Sequence, residues 1–290
     1  MKQRTLAKSV EIVGIGLHKG VPVKMILEPL EDNIGIVFYR SDKGVSIPLT
    51  PNNVVDTKMA TVIGKGDVII STIEHLLSAI YAYGIDNIRV VLDNDEIPIL
   101  DGSSSGYCML IDEAGIVEQN ATKKALRIKK EVNIKIDNKH VGLKPSNRII
   151  YDFSINFNHP AISEQQFKFD YTVEQYKEQI SRARTFGFLH EVQYLRSLGL
   201  ALGGTLDNAI VLDEEKVINP DGLRYDDEFV RHKILDAIGD MSLIGYAIIG
   251  EYNAHAGSHH LNHLLTKKLL ENPENYEIID LEEAVDYQKT

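Results

Sequence analysis

The stretch EFVRHKILDAIGDMSLIG, residues 228–245, sets His232, Asp236 and Asp240 four residues apart in a segment of helical composition. At about 3.6 residues per turn, that spacing stacks three ionisable side chains on one helical face. Such a face either meets water or converges on something. His232 and Asp236 at i, i+4 can grip one metal ion, and a third ligand must then come from another segment. His75, in STIEHLLSAIYAYG, is the best candidate. Three protein ligands with an open fourth position is the pattern of catalytic rather than structural zinc. Imidazole and carboxylate ligands suit Zn²⁺ without any cysteine. Glu74, beside His75, has two competing roles: the glutamate of a helix capping box, or a general base toward a metal-activated water. A further cluster, NAHAGSHHLNHLL, carries His255, His259, His260 and His263. It reads either as a polar histidine-rich loop or as the source of an acid that protonates a leaving amine, with Asp240 free to pair with it.

The elements that must position these residues are two helices and a set of strands. Ser71 and Glu74 fit a capping box at the start of the first helix, and Gly84 fits its C′ stop. At about 100° per residue, Ile73, Leu76, Leu77 and Ile80 form its apolar stripe, with His75 pointing elsewhere. In the second helix Val230, Ile234, Ala237 and Met241 make the stripe, and His232, Asp236 and Asp240 lie on a largely separate face, so neither histidine reads as a core residue. The lysine-bearing stretch QNATKKALRIKKE, residues 119–131, separates two halves of similar length. Each half opens on alternating, β-branched segments, VEIVGIGLHKGVPVKMILEP in the first and VNIKIDNKHVGLKP then RIIYDFSINF in the second. Period-two alternation predicts antiparallel strands. Each half therefore reads as an α+β layer, with or without internal duplication.

The bulk properties bound the function. The chain has 290 residues, 43% hydrophobic and 25% charged, the composition of a soluble globular protein of one large or two ordinary domains. A formal net charge of −11 argues against nucleic-acid binding, which needs a basic surface to meet phosphates. One cysteine, Cys108, leaves no disulfide framework and no multi-thiolate zinc site, so a reducing cytoplasm is the expected compartment. The first residues do not read as a signal peptide, and no apolar run approaches the ~20 residues that span a bilayer.

Taken in order along the chain, VGIGLHKG, STIEHLLSAIYAYGIDN, DGSSSGY, INFNHPAI, SRARTFGFLHEVQYLRSLGLALGGTLDNAIV, GLRYDDEFVRHKILDAIGD and GSHHLN resemble the UDP-3-O-acyl-N-acetylglucosamine deacetylases of lipid A biosynthesis. The resemblance covers essentially the whole chain. It implies an α+β fold, a two-domain sandwich of repeated β-α-α-β layers with the active site between the domains. Residues 1–122 would form the first domain, carrying Glu74 and His75, and residues 123–290 the second, carrying His232, Asp236, His259 and an insertion at about 185–210. It also implies a Zn²⁺ hydrolase, with Fe²⁺ fitting the same ligands, that removes acetate from the glucosamine nitrogen of an acylated UDP-linked substrate. The expected partner set is that substrate, no nucleic acid, and transient contact with the inner membrane face; a monomer is expected.

Carried across residue by residue, the resemblance makes His75, His232 and Asp236 the zinc ligands, Glu74 the general base, and His259 the general acid oriented by Asp240. Thr185 would stabilise the oxyanion. Lys233 and Lys139 would meet substrate charge, and Phe157 and Phe186 would make apolar contacts, for which plain core packing is the alternative. In the insertion, Phe188, Val192 and Ala201 would line a passage for the acyl chain, where composition alone favours an amphipathic helix buried in the core. One departure stands out: the family pattern at the acid is Gly-His, any residue, Leu-Asn, whereas here Ser258 replaces the glycine and His260 fills the variable place. Spacing to Leu261-Asn262 selects His259 over His260. Two rivals remain at this level: another zinc amidohydrolase, although HExxH is absent, and a non-catalytic, metal-containing sugar-nucleotide or lipid-binding module.

Overall fold

The structure is a computed structural model that describes residues 1–281; positions 282–290 of the expected second domain lie outside the described residues. It contains two main sheets and six α-helices among the described residues. The first sheet runs, in spatial order, Val10–Ile15, Pro22–Pro29, Ile88–Leu92, Ile36–Arg40 and Val45–Pro48. The second is built around the long strand Ala247–His255, which lies parallel to Lys124–Ile128 and Ile149–Phe157 and antiparallel to Lys139–Lys144. The antiparallel strands expected from period-two alternation form: Val10–Ile15 pairs with Pro22–Pro29, Val132–Ile136 with Lys139–Lys144, and Ile149–Phe157 with Ser163–Asp170, although Ile149–Phe157 also runs parallel to Ala247–His255.

Helices α1 (Glu74–Ala82) and α2 (Ser105–Ala114) belong to the first half. Helices α3 (Val173–Gln179), α4 (Leu189–Ser197), α5 (Glu228–Met241) and α6 (His259–Glu271) follow. Helix α5 packs on the strands Ile149–Phe157 and Ser163–Asp170 with one side and on α1 with the other, while α6 packs on the hairpin Val132–Lys144. Helix α2 packs on α1 and on Val10–Ile15, so α1, α2, α5 and α6 make up the layer between the two sheets. The apolar stripe of α5 is buried as its periodicity requires, but so is the face opposite: His232, Asp236 and Asp240 are each under 10% exposed, and only Arg231 and Lys233 are half-buried. The sequence expectation that this polar face stands apart from the core is corrected. A helix clamped between a sheet and another helix has no wet side, so its polar residues must find partners inside.

The capping box does not form either. Helix α1 begins at Glu74 itself, its N-cap Ile73 carries no side-chain cap, and the Ser71 hydroxyl meets Thr72 Oγ1. Thr72 stands at φ 60, a left-handed conformation uncommon for a β-branched residue, and this turn delivers Glu74 and His75 directly into the first helical turn. The far end behaves as expected: Gly84, at φ 64, follows the C-cap Tyr83.

Two close backbone approaches join the halves. Gly239 of α5 lies so near α1 that a Cβ there would fall 2.0 Å from the Glu74 carbonyl oxygen. Near the N-terminus, Leu202 N–H and Gly203 N–H each donate at 2.9 Å to the carbonyls of His18 and Leu17, and a Cβ on Gly203 would lie 2.2 Å from the Gly16 oxygen.

Gly239→Ala tests the first approach. Helix propensity alone would favour alanine by about 1 kcal/mol. The backbone clash opposes it, at a typical overpacking cost of about 1–3 kcal/mol or more. We expect a lower urea midpoint and melting temperature; a midpoint at or above that of the wild type would show that the helices can separate freely.

Candidate metal centre and acid–base pair

The sequence around α5 folds to fix its first turns. Glu228, fully buried, takes the Arg184 guanidinium at 2.8 Å (Nε–H to Oε1) and accepts the Arg184 and Arg224 backbone N–H groups. The Ala183 carbonyl, one residue away, accepts the His232 Nδ1–H at 2.9 Å. That bond fixes the tautomer and leaves the Nε2 lone pair facing inward. On the other side, the Ser104 hydroxyl of DGSSSGY donates to the His75 carbonyl at 2.7 Å, and Asp101 of the same motif takes Arg224 at 2.8 Å. Gly102 accepts the Thr185 N–H at 2.8 Å; a Cβ there would meet the Asn208 carbonyl at 2.0 Å. The motif is a scaffold for His75 and Thr185.

Asp236 Oδ1 lies 3.2 Å from His75 Nε2 and 3.3 Å from His232 Nε2. It is buried without a hydrogen bond, as is His75 Nδ1. Burial pushes the His232 imidazole down to about 4, so it is neutral at physiological pH. Against the cost of burial, His232 and His75 hold the Asp236 carboxyl well below its ordinary range. A charged carboxylate facing a neutral imidazole lone pair has no proton to share. These separations match the ~3.4 Å edge of a tetrahedron with ligand bonds of about 2.1 Å. The donor set thus fits a divalent metal ion, and His75, His232 and Asp236 are the residues that could hold it.

Beside this trio stands a second one. His259 Nδ1–H donates to Asp240 Oδ2 at 2.7 Å, and its Nε2 lies 3.6 Å from Glu74 Oε1. Burial disfavours the imidazolium, yet the carboxylates of Asp240 and Glu74 raise the His259 pKa to about 10. Burial pushes the Glu74 carboxyl up, toward the range of a working base. Glu74 Oε2 accepts the Thr61 N–H at 3.1 Å, which the expected capping role would not allow. The departure at Ser258 has a local reason: its hydroxyl caps α6, accepting the Leu261 N–H at 3.2 Å, so His259 opens the helix. His260 turns away, its Nδ1 3.3 Å from Thr57 Oγ1.

Both trios open on a cavity of ≈ 380 Å³. Glu74, His75, Asp236, His259 and Thr185 line one end; Val192, Leu195, Ala201, Leu206, Val211 and Ile218 line the rest. Helix α4 is not the buried core helix that composition favours: none of its residues is buried, and Tyr194 and, just beyond the helix, Leu198 are more than half exposed. Its inner edge walls the cavity, and the short parallel pair Phe186–Phe188 and Ile210–Leu212 closes the insertion. Phe186 lines the cavity. Phe157 and Phe188 pack around it, Phe157 at 5.9 Å from Phe186 and 5.8 Å from Phe188. Lys233 Nζ sits 5.8 Å over the Phe186 ring. Lys139 is exposed at the hairpin turn opposite Ile136 and does not line the cavity. Three contributors escaped the sequence reading. Thr61 touches both carboxylates of the second trio, Thr72 makes the left-handed turn, and Glu96, buried, takes the Thr72 hydroxyl at 3.2 Å and the His18 N–H at 3.0 Å. None sits in a spacing that signals chemistry.

Residues 3–271 match the sequence profile of a family described as UDP-3-O-acyl N-acetylglycosamine deacetylase. Among similar proteins, the UDP-3-O-acyl-N-acetylglucosamine deacetylase of Aliarcobacter butzleri is 74% identical, over 98% of this chain and 95% of that protein. The enzymes of the same name from a Nitratiruptor species and from Wolinella succinogenes are 66% and 64% identical, covering 97% and 100% of this chain and 94% and 98% of theirs.

Removing His232 as His232→Ala should abolish stoichiometric metal binding while leaving a cooperative fold, because α5 stays pinned by the Arg184–Glu228 pair. Elemental analysis of the purified variant, alongside its thermal melt, checks this; full metal content would exclude His232 as a ligand.

Proposed function

The chain belongs to the UDP-3-O-acyl-N-acetylglucosamine deacetylase family and is a hydrolase of that class, and from that premise we propose that it works as a zinc enzyme through the residues gathered in this cavity. The reaction removes the N-acetyl group from UDP-3-O-(3-hydroxyacyl)-N-acetylglucosamine, giving acetate and the free amine, the committed step of lipid A biosynthesis. The observation that carries the residue assignment is that one cavity joins the metal-ligand trio and the acid–base pair to a long apolar wall.

Zn²⁺, held by His75, His232 and Asp236, would supply Lewis acidity that polarises the acetamide carbonyl and acidifies water; Fe²⁺ suits the same donors. Glu74 takes the proton from the attacking water as oxygen bonds to the acetyl carbon. Thr185, at the same end of the cavity, offers its hydroxyl to the oxyanion. His259 then delivers a proton to the glucosamine nitrogen as the C–N bond breaks, and Asp240 keeps the imidazolium charged and aimed. Base and acid are poised in opposite senses by their surroundings, as such a sequence of transfers needs. A non-catalytic binding module would need none of this pairing.

The substrate groups follow from the remaining residues. Lys233 and Lys139 serve its charge, Phe157, Phe186 and Phe188 its apolar contacts, and Val192 and Ala201 its acyl chain. The exposed Tyr194, Leu198 and Leu202 beside the passage support transient contact of a cytoplasmic monomer with the inner membrane face. No helix among the described residues is long and apolar enough to cross a membrane. Residues 1–122 and 123–290 are taken as the two domains. The pairing of Lys2–Leu6 with Ile116–Thr122 closes the first, and Lys124–Ile128 enters the second sheet.

Glu74→Gln should keep its metal and lower kcat by roughly a hundred- to ten-thousand-fold, the scale of general-base catalysis; acetate release together with metal content measures both. Wild-type kcat should fall as pH rises through the pKa of the His259 imidazolium, about 10 as an upper value because a neighbouring divalent charge lowers it. His259→Gln should lose that alkaline limb, and a limb left unchanged would move the acid elsewhere. Each buried methylene contributes about 0.8 kcal/mol, so Val192→Phe should raise KM for long-acyl substrate and spare a short-acyl analogue. Equal loss on both would place Val192 outside the passage.

A further inference from the structure

Thr61 lies just ahead of the strand Val62–Lys65 and is 2% exposed. Its backbone N–H donates to Glu74 Oε2 at 3.1 Å, and its hydroxyl donates to Asp240 Oδ1 at 2.6 Å. The second bond spans 179 residues of sequence and crosses from the first half of the chain to α5 in the second. We propose that Thr61 is a positioning residue that sets the acid and the base against each other, an inference that rests on the roles given above to Glu74 and His259.

Donors and lone pairs decide the matter. A threonine hydroxyl has a single proton, and here it is spent on Asp240 Oδ1. The other carboxylate oxygen takes His259 Nδ1–H at 2.7 Å and the Asn262 amide at 2.9 Å. Asn262 is in turn fixed through its own oxygen by the Tyr252 hydroxyl at 2.6 Å. With donors on both oxygens, the Asp240 carboxylate cannot swing about its Cβ–Cγ bond without breaking one of them, and the His259 ring follows its plane. The same residue's amide fixes the Glu74 carboxylate, so one residue sets the separation between the base and the Asp240–His259 pair. Thr61 itself does not line the cavity, whereas its neighbours Met59 and Ala60 do. It acts through Asp240 and Glu74 rather than on substrate.

Thr61→Val keeps the shape and the backbone amide and removes only the hydroxyl proton. A hydrogen bond to a charged group is worth about 1.5–3 kcal/mol, so kcat on the acylated UDP-N-acetylglucosamine substrate should fall roughly 10- to 100-fold. KM should stay within about twofold and metal content should be unchanged. Thr61→Ser, which restores the donor, should recover most of the rate. In an Asp240→Ala background, which leaves the Thr61 hydroxyl no acceptor there, Thr61→Val should add almost nothing, because both changes remove one interaction. An unchanged kcat in Thr61→Val, a loss carried by KM, or effects that multiply in the double variant would each overturn the proposal. Should Thr61→Val fail to fold, Thr61→Ala compared with Thr61→Ser asks the same question with the same outcomes. The premise is tested separately: activity retained in Glu74→Gln removes the base assignment, whereas an inactive Glu74→Gln beside a fully active Thr61→Val removes only the inference about Thr61.

Discussion

The contact between α1 and α5 at Gly239 governs the rest of the site. Two helices from opposite halves of the chain meet so closely that hydrogen is the only side chain that fits. That distance is what allows short side chains, two histidines and three carboxylates, to reach one another across the interface. The close approach also seals the interface, so that the groups inside act in a low dielectric where each charge has large effects on its neighbours.

Within that interface three carboxylates, Glu74, Asp236 and Asp240, crowd against three imidazoles. Burial holds His232 neutral, whereas, against the cost of burial, Asp236 pushes the His75 imidazole up. Asp236 Oδ1, the carboxylate oxygen left without a hydrogen bond, faces the place where a divalent ion would sit. By contrast, Asp240 is saturated with donors on both oxygens. Two aspartates one turn apart on one helix are thereby given different surroundings: one left open to a cation, the other committed to a histidine.

Much of this was legible in the residues. The i, i+4 spacing of His232, Asp236 and Asp240 indicated a shared face, and alternation indicated the hairpins. What the sequence could not convey was which polar groups would be buried. Helical periodicity separates an apolar stripe from a polar one, but α5 is enclosed on both, and only the tertiary packing decides that. The Ser71–Glu74 capping signal misled for a related reason: the left-handed Thr72 starts the helix later than the motif suggests, and the carboxylate is claimed by the Thr61 amide instead. Thr61 itself was invisible, because half of its contribution is a backbone N–H, which every residue but proline possesses. The insertion was misjudged by composition, since leucines that line a cavity on one edge and meet solvent on the other read like leucines of a core.

The loop at Leu17–His18 is laced to Leu202–Gly203 by main-chain hydrogen bonds, and that seam demands glycine on both sides, at Gly203 and at Gly20, whose φ is 65. The mouth of the cavity is therefore framed by peptide groups and merely upholstered by side chains. Exchanging a few of its aliphatic residues would widen, narrow or shorten the cavity without loosening that frame.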